Sequence, residues 1–275
     1  MSMPPSRYYQ PQDLSGKVAL ITGASSGFGE AIAHRFAELG MRLVLVARRE
    51  ERLRALAALL AERHGCEAHV VVQDVCDTAA VEGMVEALPA SFQEVHVLVN
   101  NAGLVFGTPA AQEVDMGHVK TMFETNILAV IALTKACLKG MLARNDGHIV
   151  NLGSTAGHEA YPGGGVYNAT KFALSAYTTA TRHDLVGTNI RVTAISPGAV
   201  ETEFSLVRFA GDAARAAAVY EGMAKMTAVD IADNVTYAVT RPPHVQIADL
   251  IVTSVHQSGA KYLARPLLQA SAKQP

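Results

Sequence analysis

Short apolar runs alternate along this chain with longer stretches whose apolar residues recur at helical spacing. The runs are 17–21 (KVALI), 43–47 (LVLVA), 69–72 (HVVV), 95–99 (VHVLV), 148–152 (HIVNL), 190–195 (IRVTAI) and 249–252 (DLIV). They are rich in β-branched residues and mostly apolar on both faces, as strands covered on both sides must be. Helical patterns occupy 27–39, 50–63, 78–88, 115–144, 165–187 and 227–240. Gly40 and Gly65 follow two of these patterns, where a C′ glycine ends a helix. Strands alternating with helices predict βαβ units, a parallel sheet and right-handed crossovers, hence an α/β fold. No repeat, low-complexity block or linker interrupts the pattern. One catalytic-sized domain over 17–255 is expected, with an N-terminal arm at 1–16 read as loose and a C-terminal tail at 256–275. The weakest pattern, 197–226, is read as a mobile lid.

Composition narrows the function. The chain has 275 residues, 49% of them apolar and 17% charged, enough to bury a large core. A net charge of −2 argues against nucleic acid or an anionic membrane as partner. No uninterrupted apolar run reaches the ~18 residues that span a bilayer, and MSMPPSRYYQPQDLSGK has no apolar signal core. Cys66, Cys76 and Cys137 are isolated and read as reduced thiols of a cytoplasmic protein. The ten histidines form no HxH or HxxxH pair, so no metal site is expected.

Directly after the first strand comes TGASSGFGEAIAHRF. Gly23, Gly27 and Gly29 there let the backbone turn and approach a pyrophosphate. The helix that follows offers unpaired N–H groups and a positive dipole end. The second strand ends LVLVARRE. NAD-binding chains usually carry an acidic residue here for the ribose hydroxyls. Arg48 and Arg49 stand in its place and suit a 2′-phosphate, so NADP is expected over NAD.

The segment GGGVYNATK places Tyr167 and Lys171 four residues apart, on one helix face. A cation beside a phenol lowers its pKa from about 10. A phenol so tuned exchanges a proton with an alcohol or carbonyl, which is the acid–base half of a hydride transfer. Ser154, in NLGSTAG, lies just past a predicted strand, at the sheet edge where ligands bind. VLVNNAG brings Asn101, Ala102 and Gly103 to that edge, and SPGAVETEF follows a further strand there.

With these motifs together, the chain resembles the short-chain dehydrogenases/reductases. TGASSGFG, NNAG, the Asn of ETNILAV, the Ser of NLGSTAG, YNATK and the PG of SPGAV run in family order from residue 17 to about 255. The resemblance implies a single-domain Rossmann fold with a doubly wound seven-stranded sheet and helices on both faces. It implies a catalytic tetrad of Asn126, Ser154, Tyr167 and Lys171. Tyr167 is then the acid/base and Ser154 orients the carbonyl. Lys171 holds the nicotinamide ribose and lowers the Tyr167 pKa, and the Asn126 carbonyl holds a water. NADP(H) would lie on Gly23, Ser25, Ser26, Gly27, Phe28, Gly29, Arg48 and Arg49. Asp74 and Val75 meet the adenine, Asn101, Ala102 and Gly103 follow, and Pro197, Gly198, Val200 and Thr202 flank the nicotinamide. YPGGGVYNATK, VETEFSLVRFAGD and RPPHVQI look like the NADP-dependent 3-hydroxy acid dehydrogenase branch. A small-molecule 3-hydroxy acid such as serine or allo-threonine is therefore the first expected substrate, and a homotetramer or dimer the expected assembly. His158, Glu159, Gly165 and Asn168 depart from that branch near the substrate pocket. A reductase of a larger ketone or aldehyde is the alternative, and a silent nucleotide sensor is disfavoured by the intact tetrad. Arg208 is a candidate for a substrate carboxylate.

Overall fold

The computed structural model describes residues 11–266. Every residue of Val18–Thr22 (β1), Gly147–Leu152 (β5) and Ile190–Pro197 (β6) is buried, which explains why these runs are apolar on both faces. With Arg42–Ala47 (β2), Ala68–Val72 (β3), Val95–Asn100 (β4) and, late in the chain, Asp249–Val252 (β9), they form one sheet of seven strands. Its order is β3-β2-β1-β4-β5-β6-β9, and every pairing is parallel. The order reverses between β1 and β4, the place where a doubly wound sheet opens a crevice.

Two helix layers cover the sheet. Gly27–Glu38 (α1), Glu50–His64 (α2) and Ala228–Val239 (α9) bury Phe36, Leu53, Leu60 and Val235 against one face. Thr78–Ala87 (α3) and Ala129–Arg144 (α5) bury Val81, Leu133 and Met141 against the other. Gly165–Asp184 (α6) lies beside α5, where Leu174 meets Ile127 and Val130. The predicted helix 115–144 is one continuous rod with a flaw in it. Met116–Phe123 (α4) passes into a π turn, Glu124–Leu128, before α5 begins. Among the described residues, Met116–Arg144 is also the one helix long and apolar enough to cross a membrane; half of its most apolar window is buried. It is a core helix packed on α3 and β4.

Two segments differ from expectation. The described part of the arm, 11–16, is tied down. Leu14 is buried, the Gln12 N–H donates to the Thr240 carbonyl at 2.8 Å, and Gln12 Oε1 accepts from Arg191 at 3.2 Å. Residues 1–10 and 267–275 lie outside the described range. The stretch 197–226 is built rather than featureless. It carries Val200–Glu201 (β7), Glu203–Arg208 (α7), Ala213–Ala218 (α8) and Met226–Thr227 (β8), with β7 and β8 paired in a small ribbon. Its pattern was faint because these elements are too short to show a period.

His148 lies buried in β5. Its Nε2 meets Thr193 Oγ1 at 2.8 Å, and its Nδ1 has no partner. Burial, helped by the Arg191 cation, holds its pKa well below the usual imidazole value. The unfolded chain binds a proton near pH 6.5 that the folded chain refuses. Stability from this group is complete above that pH and falls below it by up to ~1.4 kcal/mol per pH unit. Replacing His148 by Gln should flatten the loss of unfolding free energy between pH 7 and 5, measured by urea titration. An unchanged slope would place the acid sensitivity elsewhere.

Candidate active site

The site is assembled where β1 and β4 part. Thr22 Oγ1 accepts from the backbone N–H groups of Asn101 (3.1 Å) and Ala102 (3.0 Å) and donates to the Val99 carbonyl (3.3 Å). Asn101 Nδ2 in turn donates to the carbonyls of Thr22 (2.8 Å) and Gly23 (3.3 Å). This ties the glycine loop to the end of β4. Gly23 and Gly27 have φ of +64° and +57°, which only glycine adopts without strain. Gly29 serves another end: a Cβ there would collide with the Gly23 carbonyl oxygen and lie 2.7 Å from Asn101 Nδ2. α1 starts at Gly27 with no side chain capping its first N–H groups, which leaves them directed at the crevice.

Of the expected tetrad and cofactor residues, all but Gly29 and Asn126 line a single cavity of about 590 Å³; His158, Glu159, Gly165 and Asn168 stand outside its lining. Gly29 stands behind the loop it shapes. Asn126 sits in the π turn, 1% exposed, and works from below. Its Oδ1 accepts from the Leu104 N–H (2.9 Å), and its Nδ2 donates to the Leu104 carbonyl (3.0 Å) and Thr170 Oγ1 (3.1 Å). A wide turn in a helix is a frequent mark of a functional site, because it breaks the regular carbonyl pairing.

Tyr167 and Lys171 come from α6, and Ser154 from the end of β5. Asn100, Asn151 and Thr178 hold β4, β5 and α6 together through Nδ2–Oδ1 and Nδ2–Oγ1 bonds of 2.8 Å each. Ser154 Oγ accepts from the Ala156 N–H at 3.1 Å. The Tyr167 ring packs against Phe204, centroids 5.9 Å apart. Lys171 is not among the groups that lower the Tyr167 pKa, contrary to the expectation. Burial pushes the phenol up, and the neighbouring Ser154 pulls it only partly back. The Lys171 ammonium donates to the Leu152 carbonyl at 2.7 Å and lies 5.8 Å from the centre of the tyrosine ring. Burial lowers its pKa to about 8. Desolvation is the largest influence on both groups.

The arginines at the end of β2 differ in what they hold. Arg48 is exposed and pairs loosely with Asp74 at 3.6 Å. Arg49 binds Ser25 Oγ (3.0 Å), Ser26 Oγ (2.6 Å) and Glu203 (2.9 Å). Glu203, which also pairs with Arg52 at 2.7 Å, was missed in the sequence because 151 residues separate the partners. The cavity fits a dinucleotide on its own features: a glycine cradle that any side chain would fill, open N–H groups, and guanidinium groups at the rim.

Residues around the cavity also hold the loop and the C-terminal segment beside it. Asn168, one of the departures, is buried. Its Nδ2 donates to the carbonyls of Ala156 (2.9 Å) and Glu159 (3.1 Å), and its Oδ1 accepts from the Tyr161 N–H (3.3 Å). It shapes the loop before the catalytic helix. Gln257, Ala260, Lys261 and Leu263, set apart as a tail, border the same cavity. No metal-type cluster of His, Cys, Asp and Glu occurs among the described residues.

The short chain dehydrogenase family model matches residues 17–211. The chain belongs to the short-chain dehydrogenase family. It is 41% identical over 253 residues to an NADP-dependent 3-hydroxy acid dehydrogenase of Schizosaccharomyces pombe, covering 92% of this chain and 98% of that one. It is 44% identical over 246 residues to sulfoacetaldehyde reductase 2 of Chromohalobacter salexigens, covering 89% and 97%. Among solved structures, the closed form of a serine dehydrogenase complexed with NADP+ superposes with a TM-score of 0.84 at 41% identity, covering 90% and 98%. This short-chain dehydrogenase should lose its nucleotide when the cradle is filled. Gly29→Ala should weaken NADPH binding at least tenfold by fluorescence titration, because the colliding atom is backbone. A variant that binds like wild type would mean the nucleotide lies elsewhere.

Proposed function

We propose that the chain is an NADP(H)-dependent dehydrogenase that interconverts a small 3-hydroxy acid and its oxo acid. The observation that carries this reading is the meeting of Ser154, Tyr167 and Lys171 with Arg48 and Arg49 on one cavity. The names of the relatives support the same substrate class. The nicotinamide, when bound, takes or gives the hydride. The chain's own residues handle the proton and the oxygen. Tyr167 Oη takes the hydroxyl proton on oxidation and returns it on reduction. Ser154 Oγ steadies the reacting oxygen. Lys171 holds positive charge in the buried wall, favouring the phenolate when the proton leaves. Asn126 fixes the loop at Leu104 and thereby the floor of the site. Arg208 donates from Nε to the Gly107 carbonyl at 3.2 Å; its remaining donors suit an acid group.

Cofactor choice follows from the rim. Arg48 and Arg49 would hold the 2′-phosphate, Asp74 and Val75 would meet the adenine, and Pro197, Gly198, Val200 and Thr202 would flank the nicotinamide. We infer further that the protein acts in the cytoplasm as a homo-oligomer. Phe123, Leu128 and Ile131 on the α4–α5 rod and Phe172 on α6 leave apolar surface exposed, as a subunit contact would use. One catalytic domain spans 17–255, and the segment after it, with Gln257, Ala260, Lys261 and Leu263, completes the same cavity.

The first measurement is NADPH absorbance with NADP+ or NAD+ and a panel of L-serine, L-allo-threonine and 3-hydroxypropionate. Turnover with an acid and NADP+ is expected. Silence on acids with turnover of larger ketones would transfer the substrate reading to the apolar wall of Phe204, Val207 and Phe209. Tyr167→Phe should lower kcat by about 10²–10⁴ while NADPH still binds. An active Tyr167→Phe enzyme would exclude the tyrosine as acid/base. Arg48→Ala should raise the Kd of NADPH about tenfold and leave NADH unchanged; equal effects on both would remove the phosphate argument.

A further inference from the structure

Six cationic side chains border the cavity: Arg48, Arg49, Lys171, Arg208, Lys261 and Arg265. Four are occupied. Arg48 faces Asp74 and Arg49 faces Glu203. Lys171 is bound to the Leu152 carbonyl. Arg265 donates to the carbonyls of Ala218, Val219 and Glu221 and so ends α8. Among the described residues, Arg208 and Lys261 have no carboxylate within 4.0 Å. Arg208 uses only Nε, leaving both terminal nitrogens unbonded. The Lys261 ammonium stands 4.9 Å from the centre of the Tyr161 ring and makes no hydrogen bond among the described residues. The acidic residues lining the cavity, Asp74 and Glu203, are both at the arginine rim. Away from the arginine rim the lining therefore holds Lys171 and Arg265, which are bound to carbonyls, two further cations with no carboxylate beside them, Arg208 and Lys261, and no acidic residue.

Lys261 is not on a loose end. Gln257 Oε1 accepts from the Ala199 N–H at 2.7 Å, and its Nε2 donates to the Gly259 carbonyl at 3.1 Å. Ser254 Oγ donates to the Ala224 carbonyl at 2.7 Å. Glu159 Oε2 accepts from the Ala260 N–H at 3.0 Å, the peptide group immediately before Lys261. A Cβ at Gly259 would approach that same oxygen to 2.5 Å, so a side chain there would displace the carboxylate from its seat. This explains Glu159, one of the departures from the resembled branch. A charged residue stands in the substrate loop because it clamps the C-terminal segment over the chamber.

We propose that Lys261, positioned by the Glu159–Ala260 hydrogen bond, is a specificity residue that binds the acid group of the substrate together with Arg208. The ligand is a compact organic anion, a carboxylate or a sulfonate, whose single negative charge the two cations share. The proposal rests on the acid-substrate reading above and deepens it.

The test uses the full-length protein with NADP+ and measures kcat and KM for 3-hydroxypropionate, for its methyl ester and for 2-hydroxyethanesulfonate. Lys261→Met should raise KM for the acids about tenfold, leave kcat and the ester unchanged, and leave the NADPH Kd unchanged. Lys261→Arg should restore most of the acid KM. Glu159→Ala should reproduce the KM rise, and Glu159→Gln, which keeps an acceptor oxygen, should be milder. A carboxylate or sulfonate preference in the wild type names the natural acid group. Wild-type preference for acids that survives Lys261→Met overturns the proposal alone. A wild type that treats acid and ester alike overturns both the proposal and the substrate reading.

Discussion

The site depends on the knot between the ends of β1 and β4. Thr22, Gly23 and Asn101 exchange side-chain and backbone hydrogen bonds at the point where the strand order reverses. Without that tie the glycine loop would have no fixed distance from the loop that carries Gly103 and Leu104. Gly29 completes the arrangement by letting the first turn of α1 lie against Gly23. Asn126 repeats the device one layer lower, gripping Leu104 from the π turn. Each tie places a backbone segment rather than a reacting group, and the reacting groups inherit their positions.

Charge in the site is governed by burial. Tyr167 and Lys171 are both desolvated, and burial moves each toward its neutral form. The rim is the opposite case. Arg48, Arg49 and Arg52 face solvent and meet Asp74 and Glu203 in pairs that solvent weakens.

Much of this was legible in the chain. The seven apolar runs became the seven strands, and the helical periods became the helices, because strands buried on both faces and long amphipathic helices leave unambiguous patterns. The residues of TGASSGFG, NNAG and YNATK reached the same cavity because they follow strands, or begin helices, at one edge of a parallel sheet. Less legible were the short elements of 197–226 and the turns after β9. Elements of two to six residues carry no period, and their backbone partners are set by packing alone.

What the sequence by itself determined is the parallel α/β sheet, the glycine loop, the arginines at the end of β2 and the Tyr–Lys spacing. All are local, since periodicity, turn chemistry and i,i+4 adjacency act within a few residues. Only the tertiary structure decided that Glu203 reaches Arg49 and Arg52, that Asn168 knits the substrate loop, and that Glu159 holds Ala260. Those contacts join side chains to partners chosen by the fold. The balance at Tyr167 was also decided there. A neighbouring cation can be read from spacing, but the desolvation that opposes it exists only once the core has closed around both groups.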